Sequence, residues 1–160
     1  MSDTDASRWP RLALLALAVV GGMSTWFAGS VAAPLRAIDL ALTPGEVGWL
    51  VSAVQLGFVV GTLLIAVLNV ADVVPGRRLF AVSAAGAALA NAALLVAPSL
   101  AWLVASRLLT GLCLAGVYPP AMKMAATWFR DARGLAIGVV VGALTIGKAL
   151  PYLLQGNDAL

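Results

Sequence analysis

The sequence contains no histidine and only one cysteine in 160 residues. Without those side chains, zinc, haem and Cys/His nucleophile chemistries lose most of the groups they require. Cys113 stands alone inside an apolar run, so it cannot form a disulfide within the chain and reads as inert packing. Charge is also scarce: 11% of residues are Asp, Glu, Lys or Arg, while 62% are hydrophobic. A soluble domain is nearer a quarter charged and half apolar, and a chain this short cannot hide the surplus from water. The solvent for most of its surface is therefore lipid. The net charge of +3 does not point to nucleic acid, because the basic residues sit between apolar runs rather than together on a polar face. No metal-ligand cluster and no paired intramembrane carboxylates are present, so neither an enzyme nor a cofactor or metal site is expected.

What the chain has in quantity is long apolar runs. A spanning helix needs about 20 mostly apolar residues. Residues 12–35 and 47–71 are free of charge. The run 79–106 is too long for one span and contains Pro98-Ser99; proline disfavours a helical residue before it, which places a tight hairpin there. The expected spans are 12–35, 47–71, 79–97, 100–128 (bent at Pro119-Pro120) and 134–154. Residues 1–11 form an N-terminal segment, 155–160 a tail, and there is no room for a separate soluble domain. The first span is longer than a signal-peptide core and others follow it, so it is read as retained. Arg8, Arg11, Arg77, Arg78, Arg130 and Arg133 fall on one side and only Arg36 on the other, which predicts a cytoplasmic N-terminus and an outer tail in the plasma membrane. The fold class is all-α, a polytopic bundle of about five transmembrane helices.

Two segments carry unusual residues. Asp72-Val73-Val74-Pro75-Gly76-Arg77-Arg78 joins spans two and three. Its plainest reading is a basic loop with a Pro-Gly turn; an acid followed by a turn and two arginines also makes an ion-pair latch between helix arrangements. In span four, Arg107 is costly in lipid and is expected to face protein or a water-filled cavity. On an ideal helix Gly111 lies about 40° and Tyr118 about 20° from Arg107, so arginine, small residue and tyrosine share a face. Lys123 falls about 160° away, close to the inner end, and is expected to snorkel. Lys148 sits roughly 21 Å into span five, too deep for an easy exit inward. Gly57 and Gly61 on span two, and Gly134, Gly138 and Gly142 on span five, are spaced for close helix packing. Gln55, Thr62 and Asn69 make a narrow polar stripe, suited first to interhelical hydrogen bonds.

In combination these features resemble the N-terminal half of the major facilitator superfamily. The loop after span two is similar to that superfamily's G-x-x-x-D-R-x-G-R-R signature, with Asp72, Gly76, Arg77 and Arg78 matching in kind. Leu68 replaces the first glycine, Val73 the basic residue, and one extra residue separates Asp72 from Gly76. Arg107 and Gly111 match the arginine-to-glycine spacing of span four, whereas span five lacks the Gly-Pro pair of the antiporter pattern. The resemblance covers about residues 10–154. It implies a partial twelve-span fold of inverted three-helix repeats, with spans one and four lining a central cavity. By that resemblance Trp26, Arg107, Gly111 and Lys148 are the cavity candidates.

The expected function is secondary transport of a small solute by alternating access, by a truncated or partial transporter. Arg107, Lys123 and Lys148 are cationic while every Asp and Glu lies outside the spans, which favours an anionic solute. Expected partners are the lipid bilayer, the small-molecule substrate, and missing C-terminal helices or a second copy; no nucleic acid is expected. The alternative is a non-transporting membrane subunit, since glycine stripes serve partner packing equally well.

Overall fold

The computed structural model describes residues 8–156, except for the side chains of residues 30, 33–37, 152 and 154–156. Residues 1–7 and 157–160 of the expected terminal segments, and the side chain of Arg36, lie outside that description. The described residues form helices and no strand: α1 (Arg8–Asp39), α2 (Pro44–Val67), α3 (Val70–Val73), α4 (Gly76–Ala92) with a 3-10 turn Ala93–Val96, α5 (Leu100–Leu114), α6 (Tyr118–Trp128) and α7 (Arg133–Gly156). Five segments are long and apolar enough to cross a membrane: Arg8–Gly29, Pro44–Val67, Gly76–Val96, Leu100–Trp128 and Arg133–Pro151.

The breaks between helices have local causes. Thr43 caps α2: its hydroxyl accepts from the Glu46 amide while the Glu46 carboxylate accepts from the Thr43 amide at 2.8 Å, and Pro44 opens the helix. Span two ends at Val67, short of the expected residue 71, because Leu68 closes α2 and Asn69 turns left-handed with φ 50°. At the Pro98-Ser99 hairpin, Ala97 is extended and the Ser99 hydroxyl accepts from the Trp102 amide. The Trp102 indole N–H then donates across the hairpin to the Ala93 carbonyl at 3.0 Å. The fourth span breaks earlier than its prolines. Helix α5 stops at Leu114, and Pro119 and Pro120 lie in the first turn of α6, where a missing amide costs no hydrogen bond.

Two helix pairs dominate the packing, α2 on α5 and α1 on α7. On the first seam Gly57 and Gly61 meet the α5 backbone at Leu108 and Leu112, and Gly111 meets the α2 backbone at Val54. Cβ atoms at these glycines would collide with carbonyl groups, so the approach requires them. On the second seam α7 presents Ala136, Val140, Ala143 and Gly147, all buried, towards α1. Gly134, Gly138 and Gly142, expected to pack, lie on another face. All three are exposed, with nothing within 4 Å of a Cβ built on them. The main core gathers Val19, Val117, Ala125, Phe129 and Val140, and a smaller one at the far end holds Leu50, Leu94 and Leu103. Leu17, Leu63, Val67, Val82 and Leu89 are exposed, as suits a lipid-solvated surface.

One end of the bundle collects arginine. Arg8 lies over the Phe129 ring at 5.0 Å, Trp9 meets the same ring edge-on at 4.9 Å, and Arg11 and Arg77 stand on a shared hollow there.

Candidate functional site

Helices α1, α2, α6 and α7 surround a half-open cavity of about 750 Å³, within the size range of small-molecule sites. Helix α1 supplies Met23, Trp26 and Phe27, and α2 supplies Val47, Val51, Gln55 and Phe58. Tyr118 enters from the start of α6, and Leu144 and Lys148 from α7. Three rings form one wall: Trp26 stands 5.2 Å from Phe58 and 6.2 Å from Phe27, between ring centroids. The Lys148 ammonium sits 5.5 Å from the Phe27 ring centroid, a cation over an aromatic face. Among the described lining residues Lys148 is the only charged one, and Gln55 and Tyr118 add neutral polar groups. The chemistry offered is planar apolar contact with a single positive charge at its edge.

Of the residues singled out in the sequence, Trp26 and Lys148 line this cavity and Arg107 and Gly111 do not. Arg107 is 1% exposed. From α5 it reaches between α1 and α2, where Nη2 donates to the Trp26 carbonyl at 2.6 Å. Nη1 donates to the Thr25 carbonyl at 3.4 Å and Nε to the Leu50 carbonyl at 3.4 Å. Gly29 makes the space, because a Cβ there would meet the guanidinium. Carbonyl dipoles rather than a carboxylate therefore hold this charge among the described residues. Arg107 thus grips the backbone of the two helices that carry Trp26, Phe27 and Val51, and braces the cavity wall from behind.

In the loop after span two, Asp72 pairs with Lys123 of α6 at 2.8 Å, and the same ammonium donates to the Ala71 carbonyl at 3.2 Å. Lys123, expected to snorkel, extends its exposed ammonium to the loop and so ties it to the end of span four. Its hydrogen bond first, and its charge second, lower the Asp72 carboxyl below the ordinary value of 3.8. Arg77 and Arg78 begin α4 and take no part in that pair. A Cβ on Gly76 would touch Met124 only at 3.6 Å, so the turn has room to spare.

Sequence reasoning did not single out Phe27 and Phe58. Phe58 directly follows Gly57 on the closest helix seam, and Phe27 directly follows Trp26, so both were within reach of the pattern. The polar stripe does not bond across helices as expected. Thr62 donates to Phe58 of its own helix, Asn69 lies beyond the end of α2, and Gln55 faces the cavity.

A profile of the Major Facilitator Superfamily matches residues 14–156. The chain is 32% identical over 155 residues to the multidrug efflux pump LfrA of Mycolicibacterium smegmatis, covering 96% of this chain and 30% of that protein. It is also 32% identical over 155 residues to the puromycin resistance protein pur8 of Streptomyces alboniger, with the same coverage of each chain. Against the niacin transporter NiaP of Acinetobacter baylyi it is 38% identical over 86 residues, 54% of this chain and 19% of that one. The chain thus spans less than a third of the length of these curated relatives. No solved structure gives a significant match. With the profile matching nearly end to end across the five spans, the chain belongs to the Major Facilitator Superfamily.

Proposed function

We propose that the chain forms part of a secondary transporter that moves a small organic anion across the plasma membrane by alternating access. The observation that carries this reading is the half-open cavity with Lys148 as the one charged residue among its described lining residues. A lysine in lipid-embedded protein, with no carboxylate among the described residues of the same wall, favours a negatively charged solute. The relatives named as a drug efflux pump, a resistance protein and a niacin transporter support transport in general. The break between α5 and α6 supports a span able to bend. The Asp72–Lys123 pair supports a tie that holds one helix arrangement at the arginine-rich end. The six-to-one arginine bias favours a cytoplasmic location for that end.

Uptake into proteoliposomes tests the reading. Lys148→Ala is expected to reduce uptake of an anionic aromatic solute by roughly tenfold or more, the scale of one charge-assisted hydrogen bond, while sparing neutral solutes. Unchanged anion uptake in that variant would remove the anion assignment. A second reading, a non-transporting membrane subunit, is favoured by the outward glycine face of α7. It predicts a stable complex on blue-native electrophoresis and no transport.

A further inference from the structure

At the arginine-rich end, α1, α4 and α6 enclose a second hollow of about 330 Å³, separate from the central cavity. Its apolar surface comes from Leu14, Phe80, Met124 and Trp128, and two exposed guanidiniums, Arg11 and Arg77, stand on its wall. Among the described residues no acid lines it, and neither arginine has an ion-pair partner. The acid nearest in sequence to Arg77, Asp72, is already engaged by Lys123. The first turn of α4, where Arg77 sits, contains no acidic residue, and its Pro75 cap offers no side-chain acceptor. Two guanidiniums therefore stand at the ends of two spans on a hollow whose described lining offers them no carboxylate.

The two halves of this hollow ask for different chemistry. Leu14 and Phe80 belong to segments that cross the membrane, and so face acyl chains. The arginines lie at the span ends, at headgroup depth, beside a tryptophan of the kind that favours the interface. A free inorganic anion would satisfy the arginines and leave the apolar wall unused. A neutral lipid would cover the wall and leave the arginines unbalanced. We propose that this hollow is a binding site for an anionic glycerophospholipid. Its phosphate accepts from Arg11 and Arg77, and an acyl chain lies along Leu14, Phe80 and Trp128.

Trp128 provides the readout. The full chain is reconstituted in phosphatidylcholine vesicles carrying a minor fraction of lipid dibrominated on its acyl chains, which quenches tryptophan on contact. Dibrominated phosphatidylglycerol is expected to quench more than dibrominated phosphatidylcholine at equal bromine content. That excess is expected to shrink in Trp128→Phe, the remaining signal coming from Trp9, Trp26, Trp49 and Trp102. It should weaken about fivefold in relative affinity for each of Arg11→Gln and Arg77→Gln, the scale of one basic residue against an anionic membrane. Arg78→Gln, next in sequence but outside the hollow, is expected to keep it. Equal quenching of the unmodified chain by the two lipids overturns the proposal without recourse to any variant. So does a loss in Arg78→Gln as large as in Arg77→Gln, which would mean diffuse surface attraction. Abolition of the excess by inorganic phosphate at constant ionic strength would assign the arginines to a free anion and overturn the lipid assignment.

Discussion

Single residues set the strongest constraints on this bundle, and Arg107 is the first of them. Its three carbonyl contacts join α5 to both α1 and α2, so Arg107→Ala is expected to cost about 2–4 kcal/mol, the scale of lost hydrogen bonds to a charged donor plus a cavity. Unfolding followed in detergent measures it. Gly29→Ala is expected to cost about 1–3 kcal/mol by displacing the guanidinium. In an Arg107→Ala background most of that cost should disappear, since the group that clashes is gone; additive losses would contradict the contact. Burial of Arg107 was legible in the sequence, because a charge sharing a helix face with Gly111 has to look into protein. Its acceptors were not, because backbone carbonyls have no residue identity to read. The pair Asp72–Lys123 was hidden for a different reason. A helical wheel drawn from Arg107 to Lys123 assumes one continuous helix, and the break after Leu114 resets the angle. Since the Asp72 carboxyl is lowered, its pairing is present at neutral pH and is lost as pH falls through the folded value. Lys123→Met is accordingly expected to lower thermal stability at pH 7, the difference starting to shrink as pH approaches 3.8 and disappearing only well below the lowered folded value. The pair is largely exposed, so high salt should shrink the difference as well.

Among the helices, the unequal use of glycine separates seams from surfaces. Gly57, Gly61 and Gly111 let the α2 and α5 backbones touch, so Gly111→Leu is expected to push the two helices apart and cost about 3 kcal/mol or more. Gly138→Leu meets only open space and should leave the stability of the isolated chain within about 0.5 kcal/mol. Comparing the two variants by thermal unfolding in detergent checks the assignment, and equal losses would refute it. Four-residue glycine spacing is visible in the sequence for both helices, yet it only says that a face permits close approach. Which face is used depends on where α1 lies, and α1 selects Ala136, Val140, Ala143 and Gly147 instead. The span count and the Pro98-Ser99 hairpin, by contrast, follow from run length and proline alone. Those signals are local, so nothing elsewhere in the fold can override them.

For the whole molecule, the central cavity and the Arg107 brace form one construction. The brace holds the carbonyl of Trp26, and the Trp26 ring is part of the cavity wall. The cavity itself was only half legible, because its rings come from three helices whose relative rotation no sequence pattern specifies. The brace also bears on biosynthesis. An arginine entering the membrane core unaided is opposed by about 2.5–3.5 kcal/mol on insertion scales. Its acceptors at residues 25, 26 and 50 lie upstream, so the ribosome delivers them before the charge they will neutralise. Span four should therefore integrate efficiently only while spans one and two remain beside the translocon. Glycosylation mapping of nascent chains is expected to show poorer integration when the first two spans are replaced by an unrelated hairpin. Arg107→Leu should restore it, making the order of synthesis dispensable.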